Sequence, residues 1–368
     1  MDIKLKKGDK IVVKVGSSIL TSHTGKMDMK RLEMITSGVI KLKIMGFDVV
    51  IVSSGAIACG MEKLALSERP TSMLACATAA AVGQSVLMFD YEQLFRKNNY
   101  LTAQILLTSD CLENRTRYLN ARNTLLSLLQ RDNIVPIVNE NDAVVTDEIK
   151  FGDNDKLSAQ VAALIDAQLL IILSDVDGFY DPQGNVISRI ENVDSCISSF
   201  ASDTVKKTTV GGMITKLEAA KIAVNAGIPM VIANGQNKDI LEQIVKEQTL
   251  CTWFLPKKDK MSGKKRWIAF SCKNCGKIII DEGAKQALLK KGKSLLAIGI
   301  TAVVGAFSFG DLVIICDEHH NEIARGLVNY SSEEVSRIKQ AKTADIEEIL
   351  GCKSYDEVVH RNNLVILR

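Results

Sequence analysis

Up to about residue 255, short β-branched runs alternate with longer runs of helical periodicity, and this alternation limits the fold more than any other feature. The strand candidates are IVVKV (11–15), DVVIVS (48–53), LTAQILL (101–107), NIVPIVN (133–139), AQLLIILS (167–174) and IPMVIA (228–233). Between them lie MKRLEMITSGVIKLKIMG, TAAAVGQSVLMFDYEQLF, NARNTLLSLLQRD, DKLSAQVAALID and MITKLEAAKIAVNAG, each long enough for a helix with apolar residues at helical spacing. Strands that are almost continuously apolar belong to a sheet covered on both faces. The expectation is an α/β domain with a mostly parallel sheet. In such sheets ligands bind where loops leave the carboxyl ends of the strands.

The full chain has 368 residues, more than one typical domain, and its texture changes near residue 256. Residues 256–266, PKKDKMSGKKR, hold six basic side chains in eleven positions and read as a linker. Beyond it, RWIAFS, GKIIIDEG, SLLAIGITAVVGAF and DLVIICDEHHNEIARGLVNY are short strands with Gly and Asp turns around one helix, AKQALLKKG, which predicts a small mainly-β domain. The divisions expected are therefore 1–255, 256–266, 267–340 and a helical tail over 341–368. A net charge of +3 does not by itself call for nucleic acid or membrane. Nine cysteines scattered singly suit reduced thiols in a cytoplasmic setting rather than a disulfide framework. The N-terminus shows no signal peptide, and no membrane span is expected.

Polar clusters recur just after the strands. Lys14-Val15-Gly16-Ser17-Ser18 ends the first, Ser53-Ser54-Gly55 the second, Asn139-Glu140-Asn141-Asp142 the fourth and Ser174-Asp175 the fifth. Gly211-Gly212-Met213-Ile214-Thr215-Lys216 opens the helix before the last strand, and FGDNDKLS (151–158) opens the helix before the fifth. Together they make one site on one edge of the sheet. Glycines beside lysines and hydroxyls suit phosphate, because backbone N–H groups can approach its oxygens. Lys14 and Lys216 each offer a compact positive charge to a transferring phosphoryl group. Asn139, Asn141, Asp142, Asn154 and Ser54 offer donors and acceptors to a small zwitterion. None of the four histidines falls in these loops, so a Ser/His/Asp or Cys/His hydrolase has no support. Neither G-x-x-x-x-G-K-[ST] nor G-x-G-x-x-G occurs. Asp and Asn at the start of 154–164 also suit a helix cap, and both roles can hold together.

The segments VKVGSS, IVSSGAIACG, NENDAV, GDND, SDVDGFYD and GGMITK, in this order, resemble the amino acid kinase superfamily and, within it, the glutamate 5-kinase family. The resemblance covers almost the whole chain, since bacterial members append a small PUA domain where 267–340 stands here. It implies a three-layer α/β/α sandwich plus a PUA domain. It implies transfer of the ATP γ-phosphoryl group, with Mg2+ bridging the phosphates, to the side-chain carboxylate of L-glutamate. That reaction gives L-glutamyl 5-phosphate and opens proline biosynthesis. By motif, the catalytic positions fall on Lys14, Lys216 and Asp155, with Asp155 organising the two lysines. Glutamate contacts fall on Ser54, Asp142 and Asn154. Nucleotide contacts fall on Lys14, Gly16, Ser17, Ser174 and Asp175, and on Val210, Gly211, Gly212, Met213, Ile214, Thr215 and Lys216. Many relatives read G-T-G-G-M in that last loop, whereas this chain reads Thr209-Val210-Gly211-Gly212-Met213. The resemblance further implies feedback inhibition by proline, hand-off to a glutamyl-phosphate reductase and a dimer or tetramer built through the kinase domain.

Two other readings compete. Within the enzyme class the alternative is acetylglutamate kinase or another amino acid kinase, against which NENDAV and the appended domain argue. Outside it, RNA binding through the PUA domain draws on the basic linker, but 5% aromatic residues give few stacking platforms. Cys272-Lys273-Asn274-Cys275, with Cys316, His319 and His320 downstream, offers a weak zinc pattern beside the default of plain thiols.

Overall fold

Ile11, Val12, Val13 and Val15 have no exposed surface, because their strand, β1 (Lys10–Val15), lies in the middle of a sheet covered on both faces. The computed structural model describes residues 4–22, 26–108, 111–112, 115–144, 154–194, 196, 210–256, 268 and 276–367. They fall into two compact units, Met1–Lys260 and Met261–Arg368.

In the first unit the remaining strands are β2 (Asp48–Ser53), β3 (Leu101–Leu107), β4 (Ile134–Glu140), β5 (Leu169–Ser174), β6 (Arg189–Ile190), β7 (Met230–Asn234) and β8 (Thr252–Phe254). Their order across the sheet is β3-β4-β2-β1-β5-β7-β8-β6. The six strands from β3 to β7 run parallel, and β8 turns antiparallel against β7. The chain builds outward from β1 to one side through β2, then returns to place β5 on the other side. The β1–β5 seam is therefore the point where strand order reverses, and a ligand crevice is expected outside its carboxyl ends.

The period-2 alternation of β1 decides which side of the sheet does chemistry. Ile11, Val13 and Val15 join a core with Leu32, Val39 and Leu42 of the helix Met29–Ile44 and with Leu87, Tyr91 and Phe95 of a long helix, Met73–Arg96. Lys14 points to the opposite face, where the helices Asn154–Leu164 and Val210–Asn225 pack together, the first of them against β1. Helices on both faces give the three layers.

The second unit holds a sheet of order β10-β9-β11-β12-β13, with β9 (Lys277–Ile280), β10 (Ile300–Val304), β11 (Leu312–Cys316), β12 (Glu322–Val328) and β13 (Val359–Ile366). Among the described residues of this sheet, only the β9–β11 pair is parallel. Its core gathers Ile278, Ile280, Leu288, Val313, Ile315 and Val359. The expected helical tail over 341–368 needs correction. A 3-10 turn, Thr343–Asp345, and a short helix, Ile346–Leu350, are followed by β13, which pairs antiparallel with β12. The polar centre of VHRNNLVI hides the strand, because this edge strand exposes its middle residues to water. The basic stretch from residue 257, RWIAFS except Ile268, and Cys272 and Cys275 lie outside the described residues.

Candidate active site

Lys14 is the next-to-last residue of β1, and its ammonium is pulled into the protein by one carboxylate. Lys14 Nζ stands 2.6 Å from Asp155 Oδ1, both side chains being less than a tenth exposed. The other oxygen, Oδ2, takes Lys216 Nζ at 3.2 Å and the Thr215 hydroxyl at 2.9 Å. One carboxylate thus joins the central strand to the helix Val210–Asn225. Burial pushes the Asp155 carboxyl up, but Lys14 and Lys216 outweigh it and hold it below the usual carboxylate range. The three groups carry a net charge of +1 at the carboxyl end of the β1–β5 seam. Lys216 also donates to the Gly212 carbonyl at 3.0 Å, which fixes its head over the first turn of its own helix.

Asn154 precedes Asp155 and points its amide across the sheet edge. Its Nδ2 donates to the Ser53 carbonyl at 3.3 Å, to Ser54 Oγ at 3.0 Å and to Asn139 Oδ1 at 3.2 Å. Asn139 Nδ2 in turn donates to Gln84 Oε1 at 2.8 Å. The ends of β2 and β4 are so tied to the start of one helix and the middle of another. Gly55 makes the turn after β2 with φ of +107°, a left-handed conformation that a side chain would strain. The helix Ala56–Lys63 begins directly after it.

Asp142 stands beside this cluster, in the wall of a cavity of about 240 Å3 that Gln84, Gln104, Asn141 and Glu140 also line. Burial pushes the Asp142 carboxyl up to about 6, against a smaller lowering pull from Arg69. Gly16 caps the short helix Ser17–Leu20 at the end of β1. Register pairs Val15 with Leu173, so Gly16 and Ser174 lie side by side at adjoining strand ends. Ser174 is buried, and its hydroxyl donates to Asp175 Oδ1 at 3.1 Å. Gly212, Met213, Ile214 and Thr215 occupy the first turns of the helix that carries Lys216, and Val210 and Gly211 open it.

The structure therefore brings Lys14, Lys216, Asp155, Thr215, Asn154 and Ser54 into one connected set. Gly16, Ser17, Ser174 and Asp175 sit on the strand ends beside it. Asp153, Thr208 and Thr209 lie outside the described residues. Gln84, and Tyr91 whose hydroxyl meets that of Ser53 at 2.9 Å, escape a reading by loops because both sit within the helix Met73–Arg96. The signal available was one amide inside the small-residue run AAAVGQS. Among the described residues, no group of three His, Cys, Asp or Glu side chains could hold a metal ion.

Comparison with known proteins follows the same division of the chain. Residues 9–234 match the model of the amino acid kinase family, and residues 276–350 match the PUA domain. A glutamate 5-kinase of Thermoanaerobacter sp. (strain X514) is 46% identical over 364 residues, which cover 97% of this chain and 98% of that protein. A glutamate 5-kinase of Citrifermentans bemidjiense is 44% identical over 369 residues, 99% of each chain. Among solved structures, a carbamate kinase from Giardia lamblia bound to AMP-PNP superposes with a TM-score of 0.50 at 16% identity. That superposition covers 68% of this chain and 99% of the other, and it speaks to the fold alone.

Proposed function

Because the chain belongs to the amino acid kinase family and, within it, to the glutamate 5-kinases, we propose that Lys14, Lys216 and Asp155 carry its phosphoryl transfer and that the amide cluster beside them holds the substrate. The enzyme phosphorylates the side-chain carboxylate of L-glutamate with ATP, giving L-glutamyl 5-phosphate, the first step of proline biosynthesis. The observation that supports the site assignment most is the single carboxylate holding two ammonium groups from opposite ends of the domain.

Phosphoryl transfer to a carboxylate asks little covalent help of a protein. The acceptor is already ionised and nucleophilic at neutral pH, so no strong general base is required. What the reaction needs is charge neutralisation on the phosphoryl oxygens and alignment of the two reactants. Lys14 and Lys216 supply the charge, and Asp155 keeps them apart and aimed. Gly16, Ser17, Ser174, Asp175 and residues Val210 to Lys216 line the nucleotide side. Ser54, Asn154 and Asp142 take the amino acid, Asp142 as the partner of its ammonium group. Asp155 is committed to two lysines and a hydroxyl, so Mg2+ suits this site as an ion carried on the ATP phosphates, where it neutralises their charge. Cytoplasmic location, inhibition by proline, hand-off to a glutamyl-phosphate reductase and a dimer or tetramer through the kinase unit complete the proposal.

The test is a hydroxamate assay of purified protein with ATP, Mg2+ and hydroxylamine, using glutamate, N-acetylglutamate and aspartate in turn. A signal with glutamate alone is expected. A signal with N-acetylglutamate alone would keep the fold and replace the substrate.

A further inference from the structure

Two backbone groups lock three side-chain amides of the site into one orientation. The Glu140 N–H can only donate, and it meets Asn139 Oδ1 at 2.9 Å. The other terminal atom of Asn139 is therefore Nδ2, a donor, and its partner 2.8 Å away on Gln84 must be the oxygen. The Ser53 carbonyl can only accept, so the Asn154 atom 3.3 Å from it is Nδ2. No alternative amide assignment satisfies these contacts.

Two atoms are left over. Gln84 Nε2, a donor, and Asn154 Oδ1, an acceptor, are both buried without a hydrogen-bond partner. An orphan of this kind costs free energy that a ligand of the right polarity returns. Gln84 also lines the cavity of about 240 Å3 whose wall contains Asp142. An N–H donor and a carboxylate in one cavity wall complement the carboxylate and the ammonium borne by a single α-carbon.

From this arrangement we infer that Gln84 donates from Nε2 to the α-carboxylate of the substrate and makes the enzyme require that carboxylate free. Asn139 relays the orientation of Gln84 and does not itself touch this group. The assignment rests on the glutamate reading above and adds a specificity-determining residue to it. A site built to hydrogen-bond one substrate group discriminates sharply against analogues that lack it.

The experiment compares wild type with Gln84→Glu on two substrates, L-glutamate and its α-amide. Glutamate at position 84 keeps an oxygen to accept from Asn139 and exchanges the donor for a second acceptor, so the relay stays intact. KM for glutamate should rise at least about tenfold while KM for ATP holds, and preference should move at least about tenfold towards the α-amide, whose N–H can donate to the new carboxylate. A purely structural Gln84 would leave the ratio of the two substrates unchanged, and that result overturns the assignment. Should Gln84→Glu fail to fold, Gln84→Met reads the same split, a higher KM for glutamate at constant KM for ATP. Wild-type protein that turns over no glutamate would overturn the glutamate reading and this inference with it. Wild-type turnover with an unmoved ratio in the variant overturns the inference alone.

Discussion

At Asp155 one buried carboxylate answers to two ammonium groups, so the three side chains respond differently to substitution. Lys14→Met removes one charge and leaves the Asp155–Lys216 pair at 3.2 Å. It should lower kcat by about 10²–10³-fold while the melting temperature moves by less than about 5 °C. Asp155→Asn instead leaves two ammonium groups facing each other, and breaking a buried pair in this way costs about 3–5 kcal/mol. A lower urea midpoint for Asp155→Asn than for Lys14→Met is the expected order. Asp142 predicts a pH profile. Its carboxyl, raised to about 6 by burial, must be ionised to hold an ammonium group, so kcat/KM for glutamate should fall as pH drops through about 6. Asp142→Asn should lose that inflection. The same shift bears on stability with the opposite sense. A carboxyl whose folded value is raised contributes stability below its unfolded value and loses it as pH rises through about 6. At pH 8 the Asp142→Asn protein should therefore be more stable to urea than wild type, by up to about 3 kcal/mol.

The helices Ala56–Lys63 and Met73–Arg96 touch backbone to backbone. A Cβ on Gly83 would lie 1.8 Å from the Ala56 carbonyl oxygen, and one on Gly60 would lie 1.7 Å from that of Ala79. Gly83→Ala must part the two helices, at a cost of about 1–3 kcal/mol measurable by urea unfolding. Because Ser54 precedes one helix and Gln84 follows Gly83, KM for glutamate should rise in the same variant. The parts of the fold that could be read in advance share a physical reason. All six strands expected in the first unit form within two residues of their expected limits, since central parallel strands are apolar along their whole length. The two that escaped, Arg189–Ile190 and Thr252–Phe254, are too short for any period to register. β13 escaped because its exposed middle breaks the pattern. At the site, residues at the ends of strands and helices announce themselves by composition, as Lys14, Asn154 and Asp142 do. Gln84 does not, because its meaning depends on which carbonyls and amides the fold sets around it.

On the scale of the whole molecule, the helix Met73–Arg96 is long and apolar enough to cross a membrane by length and composition alone. Its buried Tyr91 and Phe95 belong instead to the core of the first unit. The opposite side is bare: Leu74 is 79% exposed and Phe89 61%, with Val82 between them at helical spacing. A second copy of the chain covering this stripe accords with the proposed oligomer. Phe89→Glu should then reduce the mass measured by light scattering at micromolar concentration, whereas a monomeric wild type would sink the idea. The carboxylate that clasps Lys14 and Lys216 also orders events during synthesis. Lys14 leaves the ribosome first, Asp155 much later and Lys216 later still. A growing chain has no means of grasping ATP between two cations until more than half of it has been made. On the proposed assignment turnover therefore cannot begin before Lys216 has been made, and its first appearance dates the moment when Lys216 and Lys14 have met at Asp155.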